Sequence, residues 1–545
     1  MKLLISLFIL FFFQNSFSQK INLNESHIEN HFRNLQLLGE VDPSLTFTIR
    51  PISNEKNYFN YYKIISKDSS NLKIKLLPVD AKISYNSNIP FNDNNGSMIP
   101  AKGFQQIFSP GVHLEFGAVS VQFKPEYVFS ENKPFNGFSE NHYDIIWARR
   151  YNAWNKYDIP ERFGYDTFNK TYLGQSNLLI NLKNFSFGFS NENLWWGPSI
   201  RNSIMMSNNA KGFSHFTFNS NKPLQTPIGS FEWQFVTGKL DSSGFTPPNT
   251  EKENQRTKLY VPKTNNLGEE NGSRLLQAYI FSFSPKFLKG LTLGHIKWVQ
   301  TYNSFFDIKL SNVSGLNYYF PVFNSKINYN GYRDGAKGFF FRSLWADSNT
   351  EIYGELYVKE SNQGNVQESP KAHTFGFQKL FKQKKPNNYL KLSWEWTKLE
   401  QNSPDLINNS VSFYSHYKIR HGYTNRGEVI GAWIGPGSNS QFFKLSNIYN
   451  TRNISLALEI IDKDNDWYYY AFSDNNDFRR YWKIYNLHFE YVNKFNKLWI
   501  ATKLIYSKNL NYQWELDNEE VLEEWYRPGV DVTNFHATIN LSYHF

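Results

Sequence analysis

The sequence predicts an all-β protein: a transmembrane antiparallel β-barrel of about 18 strands with a short N-terminal helical segment on the periplasmic side. Three observations carry this. The last eleven residues alternate without a break, with Phe535, Ala537, Ile539, Leu541, Tyr543 and Phe545 on one face and His536, Thr538, Asn540, Ser542 and His544 on the other. Strand side chains alternate with period two, so this is the length and pattern of a strand with lipid on one side and water on the other. The N-terminus reads as an export signal. Between the two ends, seven short polar turns alternate with seven long polar loops.

Met1-Lys2 is a short positive region, and Leu3 to Phe13 is apolar apart from Ser6. Ser16-Phe-Ser18 offers small residues for cleavage before Gln19, so residues 1–18 are read as a signal peptide. The chain contains no cysteine, which leaves no lipid anchor, disulfide or thiolate metal site. Nothing after residue 18 approaches the roughly 20 apolar residues of a spanning helix. A chain that enters a membrane without such helices must do so as a closed barrel. Aromatics are 18% of residues, with 34 Tyr and 15 Trp, yet the mean hydropathy is −0.56. Lipid-facing apolar residues diluted by lumen residues, with aromatic girdles at both interfaces, give this combination. The net charge of +10 is spread along the chain, whereas nucleic-acid binding calls for clustering on one face. Nucleic acid is therefore not an expected partner; the charge fits attraction to anionic headgroups of outer-membrane lipid or to acidic polysaccharide better.

Residues 19–70 read as a periplasmic helical or plug segment. Ser26-His-Ile-Glu29 is a capping box, and Ile28, Phe32, Leu35 and Leu38 follow at helical spacing before Gly39. Leu45, Phe47 and Ile49 then alternate as a brief strand ending at Pro51. This helix either covers the pore mouth or is a mobile lead-in. Residues 71–545 are the barrel. Weaker strands lie near 72–84, 111–117 and 119–129; cleaner ones include 185–190, 352–359 and 390–397. The tight turns fall at 183–184, 221–229, 284–290, 347–349, 384–388, 450–453 and 493–497. The long loops fall at about 191–212, 241–272, 301–336, 360–372, 401–440, 463–480 and 508–533. Short turns face the periplasm and long loops the exterior in bacterial barrels. The terminal aromatic Phe545 is the residue that barrel assembly machinery would read.

The stretch Asn193 to Asp241 is distinctive: Leu194-Trp-Trp-Gly-Pro198, then Arg201, then Met205-Met-Ser-Asn-Asn-Ala210, with Pro223, Thr226-Pro227 and Gly238-Lys-Leu-Asp241 beyond. It resembles the capsule assembly protein Wzi family of outer-membrane barrels. Leu35-Gln-Leu-Leu-Gly39 is similar to the family's early helix, and Arg420-His-Gly-Tyr-Thr-Asn-Arg-Gly-Glu-Val-Ile-Gly431 to its later Arg- and Gly-rich segment. The resemblance implies an 18-stranded barrel with a periplasmic helical portion, acting as a surface lectin that attaches capsular polysaccharide to the cell.

Two groups of site residues follow. The motif and lumen group is Trp195, Trp196, Gly197, Pro198, Arg201, Asn208, Asn209, Arg420 and Arg426. Trp195 and Trp196 could stack on sugar rings, but a girdle or a loop folded into the lumen is the favoured reading. Arg201, Arg420 and Arg426 are expected to pair with Glu355, Glu395 or Glu459 across the lumen, with glycan contact as the other reading. The ligand group is Trp467, Tyr468, Tyr469 and Tyr470, as exposed stacking surface in the loop 463–480, with Tyr318 and Tyr319 as a second cluster whose equal alternative is a strand-end girdle. Asp462-Lys-Asp-Asn-Asp466 has calcium-loop spacing but lacks glycine at its sixth place and glutamate at its twelfth, so no metal or cofactor is expected. Neither Gly-x-Ser-x-Gly nor His-Glu-x-x-His occurs, so no enzyme is expected. The reading is a monomeric barrel that anchors polysaccharide; the alternative is a porin or solute channel.

Overall fold

The computed structural model describes residues 19–21, 23, 26–54, 63–64, 72–248, 260–261, 272–303, 322, 331–360, 369–401, 412–472, 479–517 and 528–545. The expected signal peptide and the Tyr318–Tyr319 cluster lie outside the described residues.

Eighteen strands run antiparallel in chain order. They are β1 (Leu72–Phe91), β2 (Ala101–Phe116), β3 (Val119–Phe123, continued by Glu126–Ser130), β4 (Phe168–Tyr172, continued by Asn177–Asn181), β5 (Phe185–Ser190) and β6 (His215–Ser220). The series continues with β7 (Gly229–Leu240), β8 (Arg274–Pro285), β9 (Leu291–Tyr302), β10 (Asp334–Trp345), β11 (Thr350–Lys359) and β12 (Lys371–Lys382). The last six are β13 (Asn388–Lys398), β14 (Asn439–Tyr449), β15 (Arg452–Asp462), β16 (Lys483–Phe495), β17 (Leu498–Leu510) and β18 (Val532–Tyr543). Strand β18 pairs with β1 through Ile539↔Ile83 and Leu541↔Ala81, which closes the sheet. No helix among the described residues is long and apolar enough to cross a membrane; the strands cross it.

The sequence pattern explains which face is which. On β13, Lys391, Ser393, Glu395 and Thr397 are buried while Leu392 is exposed. On β11, Glu351, Tyr353, Glu355 and Tyr357 are buried while Leu356 and Val358 are exposed. On β18, His536, Thr538 and Ser542 face inward and Phe535, Ile539 and Tyr543 outward. Polar residues inside and apolar residues outside is the order a bilayer imposes.

All seven expected turns lie at one rim. Four of them turn on an asparagine at positive φ: Asn349, Asn387, Asn450 and Asn496. Asparagine tolerates this left-handed conformation because its short polar side chain bonds locally. The described ends of the long loops lie at the opposite rim.

Strand β2 begins at Ala101, about ten residues earlier than expected, because Gly103 and Pro110 disguise its first half. Pro110 sits opposite a bulge between Leu77 and Asp80 that also holds Pro78, so neither missing N–H interrupts the ladder. The expected strand over Leu45, Phe47 and Ile49 is corrected. Only Ile49–Arg50 is extended there, because Phe47 turns back at φ 52° and Thr46 and Thr48 hydrogen-bond each other at 2.8 Å.

The helix α1 (Ser26–Leu37) forms where its capping box and spacing place it. It lies inside the short-turn rim, with Ile28 and Phe32 packed near Trp499. Arg33 donates to both oxygens of Glu351, which also receives Arg342 Nε at 2.7 Å and Gln378 at 3.2 Å. Two further helices, α2 (Asp144–Trp154) and α3 (Asn465–Phe472), cap the long-loop side and pack on each other.

Candidate functional site

The lumen is filled by the chain itself. The connections 92–100, 191–214 and 412–438 all leave the long-loop rim and fold inward. Trp195–Trp196 pairs in antiparallel fashion with Ile49–Arg50, so the Trp-Trp motif is a lumen loop and not an interfacial girdle, two readings that the sequence leaves open. Trp196 donates to Gln234 Oε1 at 2.8 Å and Trp195 to the Ser199 carbonyl at 3.1 Å, and the Arg50 guanidinium lies 4.9 Å from the Trp195 ring centre. Pro198 offers its carbonyl to Arg33 at 2.7 Å.

Gly197 is at φ 100°, and a Cβ there would collide with Glu355 Oε1. That carboxylate is fully buried and takes the Ser199 N–H at 3.1 Å, so it cannot swing aside freely. Gly197→Ala should therefore cost about 2 kcal/mol or more from backbone strain and displacement of Glu355. Thermal unfolding followed by heat-modifiable gel mobility checks this; an unchanged midpoint would contradict it.

Of the three arginines expected to meet lumen carboxylates, one does. Arg201 bonds Glu459 at 3.0 and 2.7 Å and Asp93 at 2.7 Å. Glu395 is instead claimed by the backbone N–H groups of Ile200, Arg201 and Asn202 and by the Tyr353 hydroxyl, and Glu355 by Ser199. Arg420 and Arg426 are corrected: both lie near the outer end, where Arg420 reaches Asn155 and Arg426 pairs with Asp241 at 2.7 Å. Both stand on outer turns of the segment 412–438, which reaches the depth of Arg201 only at Trp433. Asn208 and Asn209 are plug fasteners, donating to the carbonyls of Asn94 at 3.0 Å and Val429 at 2.8 Å.

Part of the lumen wall is apolar. Val236, Leu276, Ala278, Ile280, Ile296, Trp298 and Phe340 point inward from β7 to β10 and pack on Met205, Met206, Phe413, Tyr414 and Tyr423 of the plug. Trp298 and Tyr423 stack at 3.8 Å. Buried Arg274, which sequence reasoning missed, ties the wall to this plug through the carbonyls of Gly422 at 2.7 Å and Thr424 at 2.9 Å.

Trp467, Tyr468, Tyr469 and Tyr470 are not an exposed loop. They form α3, where Trp467 and Tyr468 are buried and Tyr469 and Tyr470 half-buried. Asp464 starts the helix by accepting the Tyr468 N–H at its carbonyl, and the aromatic run then covers α2. Arg150 of α2 lies 4.7–5.6 Å from the ring centres of Phe138, Trp154, Trp467 and Trp514, a cation held among aromatic faces.

Beneath this cap, inside the long-loop rim, lies a cavity of about 270 Å³. Trp433, Trp482 and Trp514 line it together with Arg150 and Glu161. On residues lining it, the indole N–H groups of Trp433 and Trp514 and the amide oxygens of Asn92, Asn486 and Gln513 are buried without a partner among the described residues. Buried polar atoms are ordinarily paired, so this wall has unmet donors and acceptors. Burial raises the Glu161 carboxyl above its usual range, with Arg150 opposing. Burial likewise lifts Asp466 to about 7. Trp482 was legible: it shares even, inward parity with Asn486 and His488, one step beyond β16. Trp514 was not, because it sits in an irregular turn at φ 58°.

A second cavity of about 250 Å³ opens toward the short-turn rim, lined by His27 and His31 of α1 and by Arg201 and Lys503. The plug residues around 207–210 and 428–433 lie between the two cavities.

A closed 18-stranded barrel with an apolar outer face, a polar or plugged interior and all its short turns at one rim is a transmembrane barrel of the outer membrane. Comparison with known proteins then places it more narrowly. Residues 86–284 match the model of the family described as capsule assembly protein Wzi. Among solved structures, the chain is similar to Wzi of Escherichia coli, an outer-membrane protein involved in group 1 capsule assembly and a carbohydrate-binding β-barrel. The identity is 12%, covering 86% of this chain and 85% of that one, with a TM-score of 0.53. It also aligns with the Pseudomonas aeruginosa channel OpdK solved with vanillate, at 11% identity over 87% and 98% of the chains and a TM-score of 0.38. No curated protein sequence matches.

Proposed function

We propose that this barrel holds a surface polysaccharide at the outer face of the cell by non-covalent binding, acting as an anchor and not as a channel. The observation that carries the reading is the filled lumen: 191–214 and 412–438 form a hydrophobic core with the wall where a porin keeps water. The family, and the carbohydrate-binding and capsule-assembly roles of its similar member, support the same reading.

In this proposal the long-loop rim faces outward, the short turns and α1 face the periplasm, and Phe545 presents the terminal strand to the assembly machinery. The protein works as a monomer without catalysis. The cavity under α2 and α3 takes a sugar unit. Indole faces suit the apolar face of a pyranose, and paired donors and acceptors suit its hydroxyls.

Deleting the gene should move polysaccharide from the cell-bound to the shed fraction; unchanged retention would defeat the anchoring role. Trp433→Ala or Trp514→Ala should weaken binding of the cell's own oligosaccharide by the purified barrel about tenfold each, the loss of one stacking contact. Fluorescence titration reads this, and undiminished affinity in both would move the site elsewhere. A large steady conductance of the intact barrel in planar bilayers would favour the channel.

A further inference from the structure

Between β4 and β7 the barrel wall is low. β5 and β6 are six residues each, whereas β7 to β10 are twelve. The outer half of β4, Phe168–Tyr172, pairs with Glu126–Ser130 on one side and with no strand on the other among the described residues. The chain turns inward after Ser190 and returns at His215, and it leaves a notch of about 440 Å³ where those strands stop.

Four cations line the notch: Lys170, Lys211, Lys239 and Arg426. Asp241 is the carboxylate beside them. It is already engaged, at 2.7 Å by Arg426 and 3.4 Å by Lys239. Lys170 and Lys211 have no carboxylate within ion-pair distance among the described residues. The Lys211 ammonium instead rests 3.5 Å from the centre of the Tyr172 ring. Burial, with Arg426 and Lys170 adding repulsion, pulls Lys211 down to about 7. Four cations beside one carboxylate leave an excess of like charge that costs stability, and an incoming anion would remove that cost.

Its height on the wall identifies the kind of anion. Outward-facing Phe189, Phe216 and Leu173 lie just below it and are exposed as lipid-facing residues are. Asn169, Thr171 and Lys239 at its upper edge are exposed and polar. The notch therefore opens sideways at the change from apolar band to water, which is the level of lipid headgroups. With the long loops outward, as proposed above, that level belongs to the outer leaflet.

We propose that this notch receives the phosphate of a phosphorylated glycolipid headgroup in the outer leaflet, held by Lys170 and Lys211 and backed by Arg426. A phosphate oxyanion accepts several charge-assisted hydrogen bonds at once, and the low wall lets a lipid reach it without leaving its leaflet. Polysaccharide bound at the rim cavity would occupy a separate site.

The test uses the full-length protein in zwitterionic detergent, with native mass spectrometry counting bound lipid. The probes are a phosphorylated glucosamine-based glycolipid, its dephosphorylated counterpart and inorganic phosphate. The phosphorylated form should be retained at least tenfold better than the dephosphorylated one. Lys170→Gln or Lys211→Gln should each weaken retention about tenfold, and the double variant about a hundredfold. The Lys→Arg pair at the same positions should keep it, which separates lost charge from lost fold. Equal binding of the two glycolipids, or undiminished binding by the double Gln variant, would overturn the proposal. Inorganic phosphate binding as tightly as the glycolipid would assign a free-anion site instead and overturn it too. So would displacement at equal concentration by a lipid-free acidic oligosaccharide. The rim-cavity titration described above is read independently, so either proposal can fail alone.

Discussion

Glu351→Ala should loosen α1 from the barrel and cost about 3–5 kcal/mol, the penalty for removing one partner from a buried ion cluster. Glu351 is fully buried on β11 and accepts from Arg33 of α1, Arg342 of β10 and Gln378 of β12. Without it two guanidinium groups face each other in the interior. Arg342 keeps the Thr46 carbonyl and Gln36, and Arg33 keeps the Pro198 carbonyl, but neither keeps a counter-charge among these contacts. Replacing Arg33, Arg342 and Glu351 together by apolar residues of similar size should be far milder, since burying the ions is itself expensive. Limited proteolysis at residues 38–48 reads release of the helix, and the urea midpoint reads the energy. Wild-type protection in Glu351→Ala would show that the clamp is unimportant.

Arg201→Ala should release the plug and give a conductance the intact barrel lacks. The guanidinium joins Asp93 and Glu459 and lies 4.7 Å from the Trp433 ring centre and 5.3 Å from that of Phe442. Its loss leaves Asp93 to Lys503 at 2.7 Å and leaves Glu459, fully buried, with the Ser440 hydroxyl at 3.2 Å and Asn486 and His488 at 3.5 Å, without an arginine counter-charge. A penalty of about 3–5 kcal/mol falls on one docked segment while the strand ladder is untouched, so local opening is favoured over unfolding. Arg201→Lys should be intermediate, because a single ammonium cannot hold two carboxylates in the same fork. Discrete openings in planar bilayers for Arg201→Ala, absent in the wild type, are the expected record. A silent variant with wild-type stability would refute the role of Arg201 as the pin of the plug.

The wall of this barrel was legible because bilayer and water impose opposite demands on alternate residues. The faces of β11, β13 and β18 follow from that rule alone. Turns were legible through their polar residues, and α1 through its cap and spacing. The plug was legible only in outline. Trp195 and Trp196 were compatible with a girdle or a lumen loop, and no periodicity marks a segment whose contacts are scattered over β7 to β10. The same limit hid α2 and misplaced Trp467–Tyr470: an aromatic run reads equally well as exposed stacking surface or as the underside of a short helix. Arg420 and Arg426 failed for a geometric reason, since a charge on a loop meets whatever depth the loop attains. Arg274 opens β8 on its inward parity, where an isolated cation facing Leu276 and Ala278 is the signal that was available.

The connection 191–214 begins and ends at the same rim and is fastened near its deepest point, where Ser199 to Asn202 meet Glu355, Glu395 and Glu459. This sets how a tug from outside is borne. In the anchoring proposed above, a polymer pulling on the mouth would draw both arms of that connection upward together, so its fastenings would be loaded side by side and yield as a group. The strands beneath are sheared along their length instead of being peeled one bond at a time. A lid hinged at one edge would give way in sequence; a stopper drawn along its own axis resists as a whole.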